Sequence, residues 1–231
     1  VGGPGWREVL VYGHYDVMPV EPLSLWKTDP FEPVVKDGIL YARGADDDKG
    51  QSFLQLKAFE YALHEGLLRC NVKFIIEGGE EIGSPGVEEF CREHTDLLKA
   101  DVILVSDTSM VGADIPSITT GLRGLSYWQV EVTGPNHDLH SGIFGGAVAN
   151  PVNVLCKMIA ALTDADGRIT LPGFYDDVEE VSREERDTLG AVPHDKEKYK
   201  ANVGVKTIFG EKVHTTHDRT TIRTPFNVSV V

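Results

Sequence analysis

Three short apolar runs, each followed at once by carboxylates or a histidine, most constrain the fold of this chain. The runs are residues 8–12, 72–76 and 101–105, and they lead into Gly13-His14-Tyr15-Asp16, Gly78-Gly79-Glu80-Glu81 and Ser106-Asp107. Short apolar strands that alternate with helix-like segments predict an α/β domain, a mostly parallel sheet flanked by helices. Ligands bind beyond the carboxyl ends of the strands in such sheets. We therefore expect these side chains to meet at one edge, as a hydrolytic metal centre requires.

Hydrophobic periodicity predicts the elements between and after these strands. Apolar residues recur on one helical face at Phe53, Leu56, Phe59 and Leu63, and Gly66 is a plausible end for that helix. We also expect helices over residues 85–98 and 150–162, a solvated helix plus loop within 176–195, and a strand over 125–133, where apolar and polar residues alternate.

Two glycines, Gly121 and Gly124, bracket a short hinge-like segment at which the sequence pattern changes. We therefore predict two domains. Residues 1–120 would form the α/β domain, and residues 121–231 would form a second, smaller domain.

Composition excludes several classes of partner. With 41% hydrophobic and 25% charged residues, the chain is typical of a globular protein. Its net charge of −14 argues against nucleic acid and against an anionic membrane surface, and no apolar run approaches the ~20 residues of a membrane span. Cys70, Cys91 and Cys156 are widely spaced and form no CxxC pair. This pattern favours a reducing compartment, and we expect a cytoplasmic location.

Each acidic cluster has an ordinary structural explanation beside the chemical one. Asp46-Asp47-Asp48 can cap a helix or bind cations that relieve the repulsion among carboxylates. Glu80-Glu81 can form a surface turn. Alternatively, one glutamate can ligate a metal while the other takes a proton from the attacking water and later protonates the leaving amine.

The histidines are equally ambiguous when each is taken alone. Residues i and i+2 of an extended segment point the same way, so Asp16 can hold the imidazole of His14 in one tautomer, although a plain turn also fits. His137 and His140, in a glycine-rich loop, can be ligands, oxyanion donors or ordinary polar residues. Asp107 alone fits a turn or a cap. The recurrence of such residues at successive strand ends is what favours a metal centre.

At these residues the sequence resembles the M20 metallopeptidase family, and within it the dipeptidase branch (cytosolic nonspecific dipeptidase and carnosinase-like enzymes). The matching stretches are VLVYGHYDVMPV at 9–20, WKTDPFEPVVKDGILYARGADDDKG at 26–50, IIEGGEEIGSPG at 75–86, ILVSD at 103–107, GLRGLSYWQVEVTGPNHDLHSGIFGGAVANP at 121–151 and, more loosely, VGVKTIFGE at 203–211.

The resemblance implies a zinc-peptidase-like catalytic domain. Such an enzyme would hydrolyse the peptide bond of dipeptides or short peptides with two divalent metal ions, Zn²⁺ or Mn²⁺. His14 and Asp107 would bind one metal, Glu81 would bind the other, and Asp47 would bridge both.

The same resemblance assigns the remaining roles. Glu80 would be the general base and then the general acid, and Asp16 would orient His14. His140, in an α+β lid and dimerisation domain, would reach across a homodimer to stabilise the oxyanion in the partner's site. It also implies that the chain is a fragment: the start and the returning C-terminal part of the catalytic domain, with a further His ligand of the second metal, would lie outside it.

Two other functions remain open at this point. One is an amidase or deacylase acting on N-acyl amino acids, which uses the same chemistry. The other is a catalytically silent homologue that serves as a binding subunit. The silent homologue predicts the loss of a ligand or of the base, whereas all seven residues named for the site are present.

Overall fold

The computed structural model describes residues 3–112, 114–224 and 226. Residues 1–2 and 113 of the predicted first domain, and residues 225 and 227–231 of the second, lie outside the described part. The chain divides into two compact units between Met110 and Val111. In the part that the structure describes, no helix combines the length and the apolar character that crossing a membrane requires.

The first unit contains five strands and three α-helices among its described residues. In chain order they are β1 (Arg7–His14), β2 (Val34–Lys36), β3 (Ile39–Tyr41), α1 (Lys49–His64), β4 (Cys70–Glu77), α2 (Val87–Glu93), α3 (Thr95–Leu98) and β5 (Val102–Val105).

A three-stranded parallel sheet positions the polar residues, which confirms the predicted α/β architecture. β1 lies between β4 and β5, and both pairings are parallel. His14 is aligned with Glu77, and Tyr12 is aligned with Val105, so the three carboxyl ends share one edge. β1 also carries the buried core residues Leu10 and Val11, as expected for a central strand with neighbours on both sides.

Helix α1 packs against β1 and confirms the first predicted helix. The helix ends at His64, and Gly66 just beyond it has a positive φ of 64°. The N–H groups of Leu67 and Leu68 then donate to the carbonyl of Ala62. A glycine in this conformation closes a helix at no steric cost, because it has no Cβ.

The β2–β3 hairpin was not predicted, although its sequence signal is present. Asp37 and Gly38 form the two-residue turn, and both have positive φ, 53° and 78°. An Asp-Gly pair between apolar residues is the usual signal for a tight hairpin turn.

The single helix predicted over residues 85–98 is wrong, because the structure has two short helices there. Gly86, with φ of 88°, delays the start of α2 to Val87. His94 has φ of −117° and interrupts the helix. The hydroxyl of Thr95 donates to the carbonyls of Cys91 and Arg92 and so competes with backbone pairing at the break.

The second unit is helical among its described residues. Its helices are α4 (Ser141–Phe144), α5 (Pro151–Ala160), α6 (Arg183–Gly190), α7 (Lys196–Val203) and α8 (Thr216–Thr221). α5 confirms the predicted helix, with the Asn150 side chain accepting from the N–H groups of Val152 and Asn153. α6 confirms the helix predicted within 176–195, and a reciprocal Ser182–Glu185 capping box begins it.

The strand predicted over residues 125–133 is wrong. Its alternating apolar residues are exposed, including Leu125, Tyr127 and Trp128, and no strand pairs with this segment in the part of the chain that the structure describes. An alternating pattern forms a strand only where a neighbouring strand accepts its backbone hydrogen bonds. The β component expected for the second domain is therefore not formed among these residues.

Candidate metal centre

His14 is the centre of the candidate site. It ends β1, and only 1% of the residue is exposed. Its Nδ1 lies 3.2 Å from the backbone oxygen of Asp16 and 3.3 Å from the Asp16 carboxylate. Those acceptors favour the tautomer with the proton on Nδ1. The lone pair of Nε2 is then free to bind a cation.

Asp47 and Asp107 bring carboxylates to that free nitrogen. The Nε2 atom of His14 lies 3.1 Å from Asp47 Oδ1 and 3.6 Å from Asp107 Oδ2. Donor atoms of these three residues all lie within 4.8 Å of one another. Tetrahedral ligands at Zn–N and Zn–O bond lengths are separated by about 3.3 Å. The distances from His14 Nε2 to both carboxylates are close to this value, so the three residues fit one divalent cation.

The turn that carries Glu80 and Glu81 is held by Asp16. Its two carboxylate oxygens accept from the backbone N–H groups of Glu80, at 3.2 Å, and of Glu81, at 3.0 Å. The Glu80 carboxylate lies 4.0 Å from Nε2 of His14. The Glu81 carboxylate instead accepts from the N–H of Met18 at 3.1 Å, and it is not in the three-residue group.

Burial and the crowding of carboxylates together shift the pKa values of His14 and Asp107. Burial acts to lower the pKa of His14, but the carboxylates of Asp107, Asp48 and Glu80 raise it, and the net shift is upward. Burial raises the pKa of Asp107, and the charges of Asp48 and Asp47 raise it further. A bound cation would offset this repulsion, because it favours the charged form of each carboxylate.

Glu80 and Asp16 have pKa values shifted in opposite directions. Burial raises the pKa of Glu80, and the nearby Asp107 carboxylate adds to this, although His14 opposes it. For Asp16, the N–H groups of Glu81 and Glu80 stabilise the charged carboxylate and outweigh its burial, so its pKa is lowered. Two carboxyl groups with divergent pKa values suit one that exchanges a proton and one that stays charged.

Asp48 and Ser52, which the sequence analysis did not assign to the site, contribute to it. Asp48 is 1% exposed, and its Oδ2 accepts from the N–H of His14 at 3.1 Å and from the hydroxyl of Ser52 at 2.7 Å. The sequence signal for Asp48 was that of a helix cap. Only the tertiary contact with β1 distinguishes it from its neighbours.

His140 lies in the second unit, as the N-cap residue of α4. Its Nδ1 accepts from the N–H of Gly142 at 3.0 Å. The other histidine of that loop, His137, contacts the side chain of Asn136. Each of these two histidines therefore makes a polar contact with a neighbouring residue of the same loop.

Comparison with known proteins relates the chain to a family of peptidases. The model of peptidase family M20/M25/M40 matches residues 10–226. The chain is 37% identical over 205 residues to the Cys-Gly metallodipeptidase dug1 of Schizosaccharomyces pombe, which covers 87% of this chain and 43% of that protein. It is 39% identical over 208 residues to the Beta-Ala-His dipeptidase of Homo sapiens, covering 88% and 41% respectively.

A solved structure agrees with these sequence matches. The M20 family metallo-carboxypeptidase Sso-CP2 from Sulfolobus solfataricus superposes with a TM-score of 0.74 at 33% identity, covering 95% of this chain and 49% of that one. The chain thus spans about half the length, or slightly less, of the relatives that it matches.

Proposed function

Because the chain belongs to peptidase family M20/M25/M40, we propose that the intact protein is a metal-dependent hydrolase that cleaves the peptide bond of dipeptides or short peptides. The relatives named as dipeptidases support this substrate class. The observation that carries the proposal is the spacing of His14, Asp47 and Asp107, whose donor atoms converge within 4.8 Å.

His14 and Asp107 would hold one divalent ion, Asp47 would bridge to a second, and Glu81 would ligate that second ion. One imidazole nitrogen with several carboxylate oxygens suits Zn²⁺ or Mn²⁺. When bound, a pair of such ions polarises the scissile carbonyl and acidifies a water molecule. Glu81 would have to exchange its contact with the Met18 N–H, at 3.1 Å, for the ion.

Glu80 is proposed as the general base and then the general acid. Its carboxylate lies 4.0 Å from His14 Nε2, beside the proposed first ion. It would take a proton from the attacking water and deliver that proton to the leaving amine. A raised pKa helps the second step, because the carboxyl group then holds the proton until the amine accepts it. Asp16 would hold both the His14 ring and the turn that carries Glu80.

We further propose that residues 1–120 act as the catalytic domain and that residues 121–231 belong to a lid and dimerisation domain. In a homodimer, His140 would stabilise the oxyanion that forms in the partner's site.

We propose a cytoplasmic location, which the three free cysteines support.

A second candidate is the removal of the C-terminal residue from longer peptides. The solved relative from Sulfolobus solfataricus is named a metallo-carboxypeptidase, and the same proposed metal centre could hydrolyse the C-terminal peptide bond. N-acyl amino acids, the substrates of an amidase or deacylase, are a third substrate class for this chemistry.

A substrate panel tests the proposal and separates these classes. The intact protein would be stripped with a chelator, reloaded with Zn²⁺ or Mn²⁺, and assayed on Cys-Gly, β-Ala-His, a tetrapeptide and an N-acetyl amino acid. We expect metal-dependent release of amino acids, fastest from a dipeptide. Faster cleavage of the tetrapeptide favours the carboxypeptidase, and cleavage of the N-acetyl amino acid alone favours the deacylase. No turnover with either metal would favour a silent homologue.

A further inference from the structure

Asp48 is buried beside the candidate metal centre without belonging to the proposed ligand set. Its Oδ2 accepts from the N–H of His14, at the end of β1, and from the hydroxyl of Ser52, in the first turn of α1. The preceding residue, Asp47, lies 3.1 Å from Nε2 of the same histidine. One carboxylate thus links the residue that supplies the imidazole to the segment that supplies the bridging aspartate.

Capping of α1 does not explain this carboxylate. Asp48 occupies the N-cap position, but its side chain makes no hydrogen bond to the first backbone N–H groups of the helix. Such a bond is the usual reason for an aspartate there. Among the residues that the structure describes, Asp48 also forms no ion pair within 4.0 Å. Its hydrogen bonds go to β1 and to Ser52 instead.

The second carboxylate oxygen of Asp48 makes its burial unfavourable for the stability of the fold. Oδ1 of Asp48 is buried and has no hydrogen-bond partner among the described residues. A buried polar atom without a partner destabilises the folded state. Side chains that break such a rule are expected chiefly at functional sites.

Gly13 shows how tightly the contact is built. A Cβ at this residue would lie 2.0 Å from Ser52 Oγ and 3.0 Å from Asp48 Oδ2. Because Gly13 has no side chain, Ser52 and Asp48 can approach the backbone of β1 at this position.

We propose that Asp48 is a positioning residue, which holds the end of β1 against the start of α1 and so sets the separation between His14 Nε2 and Asp47 Oδ1 at a distance suited to a shared cation. It acts through these two residues and touches neither substrate nor metal. The inference rests on the proposed metal site, but it concerns the hydrogen bonds behind the ligands.

Four variants of the intact protein test this role: Asp48→Ala, Asp48→Asn, Ser52→Ala and Asp46→Ala. Asp48→Ala removes both hydrogen bonds, whereas Asp48→Asn removes only the charge, because the amide oxygen can still accept from both donors. Ser52→Ala removes one donor. Asp46→Ala is the matched control, since it removes a negative charge from an exposed residue of the same turn.

The readouts are the Kd for Zn²⁺, measured by competition with a chromogenic chelator, and kcat and KM for a dipeptide. We expect Asp48→Ala to bind Zn²⁺ at least ~10-fold more weakly, as for other residues that orient metal ligands, with the loss of turnover mainly in kcat. Asp48→Asn should remain within about 3-fold of the wild type, and Ser52→Ala should fall between them. Asp46→Ala should match the wild type.

Two results would overturn the inference alone: a wild-type Kd for Asp48→Ala, or a loss in Asp48→Asn as large as that in Asp48→Ala, which would assign the effect to charge. Should Asp48→Ala fail to fold, an unchanged Kd in Ser52→Ala would overturn it as well. A wild-type protein that binds no Zn²⁺ would overturn both the proposed function and this inference.

Discussion

His14 connects the sheet to the chemistry through all three of its nitrogen atoms. The backbone N–H donates to Asp48, Nδ1 faces Asp16, and Nε2 faces Asp47. A buried histidine whose backbone N–H and Nδ1 are already held loses little further conformational freedom when its Nε2 binds a cation. The position of this single residue therefore explains why the proposed first ion would bind at the end of β1.

Asp47→Asn tests the proposed bridging carboxylate. The substitution keeps the size of the side chain but removes the charge that two ions would share. We expect the number of bound metal ions per chain to fall toward zero, whereas Asp46→Asn, in the same turn, should leave it unchanged. Metal content after equilibrium dialysis provides the measurement. An unchanged stoichiometry in Asp47→Asn would remove this residue from the bridging role.

Metal affinity should weaken on acidification, because protons and cations compete for the same atoms. The pKa values of His14 and Asp107 are both raised. Groups with raised pKa values keep their protons to a higher pH than usual. Affinity should therefore be greatest above those pKa values and be lost as the pH falls through them. Titrations with Zn²⁺ from about pH 8 to about pH 5 measure this, and a Kd that does not change over that range would contradict it.

At the scale of elements, the contact between β1 and α1 determines the geometry of the site. Gly13→Ala would place a methyl group 2.0 Å from Ser52 Oγ. We expect this overpacking to destabilise the protein by about 1–3 kcal/mol. The double substitution Gly13→Ala with Ser52→Ala should recover part of the loss, because the clashing atom is removed.

Thermal unfolding of these variants provides the measurement. Gly3→Ala is the matched control, since a Cβ there meets nothing closer than 3.5 Å, and it should unfold as the wild type does. Equal stability of Gly13→Ala and Gly3→Ala would show that β1 and α1 are less closely packed than the structure indicates.

Several elements were predictable from sequence because their signals are local. The strands β1, β4 and β5 and helix α1 follow from apolar runs and helical periodicity, and Asp37-Gly38 carried an overlooked hairpin signal. The prediction of a strand over 125–133 was wrong, because a strand forms only beside a neighbouring strand, and the local pattern does not specify one. The break at His94 was not predicted, because it depends on the Thr95 hydroxyl, which competes with the backbone N–H groups of the helix for a carbonyl.

The candidate site was predictable in part, because several of its residues follow recognisable strands. Recurrence at strand ends predicted that His14, Glu80, Glu81 and Asp107 would lie at one edge, and the resemblance to the M20 family added Asp47. The structure brings donor atoms of His14, Asp47 and Asp107 together. Asp48 was not predictable, because no feature of the sequence distinguishes it from the other aspartates of the same turn, and only its contact with the His14 N–H does so. A neighbouring aspartate with a plausible local role offers no signal for such a contact.

At the scale of the whole molecule, the proposed role of His140 predicts complementation between protomers. His140→Ala and Glu80→Gln should each be nearly inactive alone. When the two are refolded together in equal amounts, half of the dimers combine both chains, and one site in each has an intact Glu80 and an intact partner histidine. We expect about a quarter of wild-type activity, which follows from random pairing in a two-fold dimer. A mixture as inactive as its components would contradict a shared site.

Proton transfer by Glu80 beside a metal centre is tested by the substitution Glu80→Gln. Metal content and dipeptide turnover would be measured on the same preparation, with Glu88→Gln, on the exposed surface of α2, as the control. We expect Glu80→Gln to keep the wild-type metal content and to lower turnover by about 10²–10⁴-fold, the usual contribution of a general base. Turnover within a few-fold of the wild type, with metal bound, would contradict it.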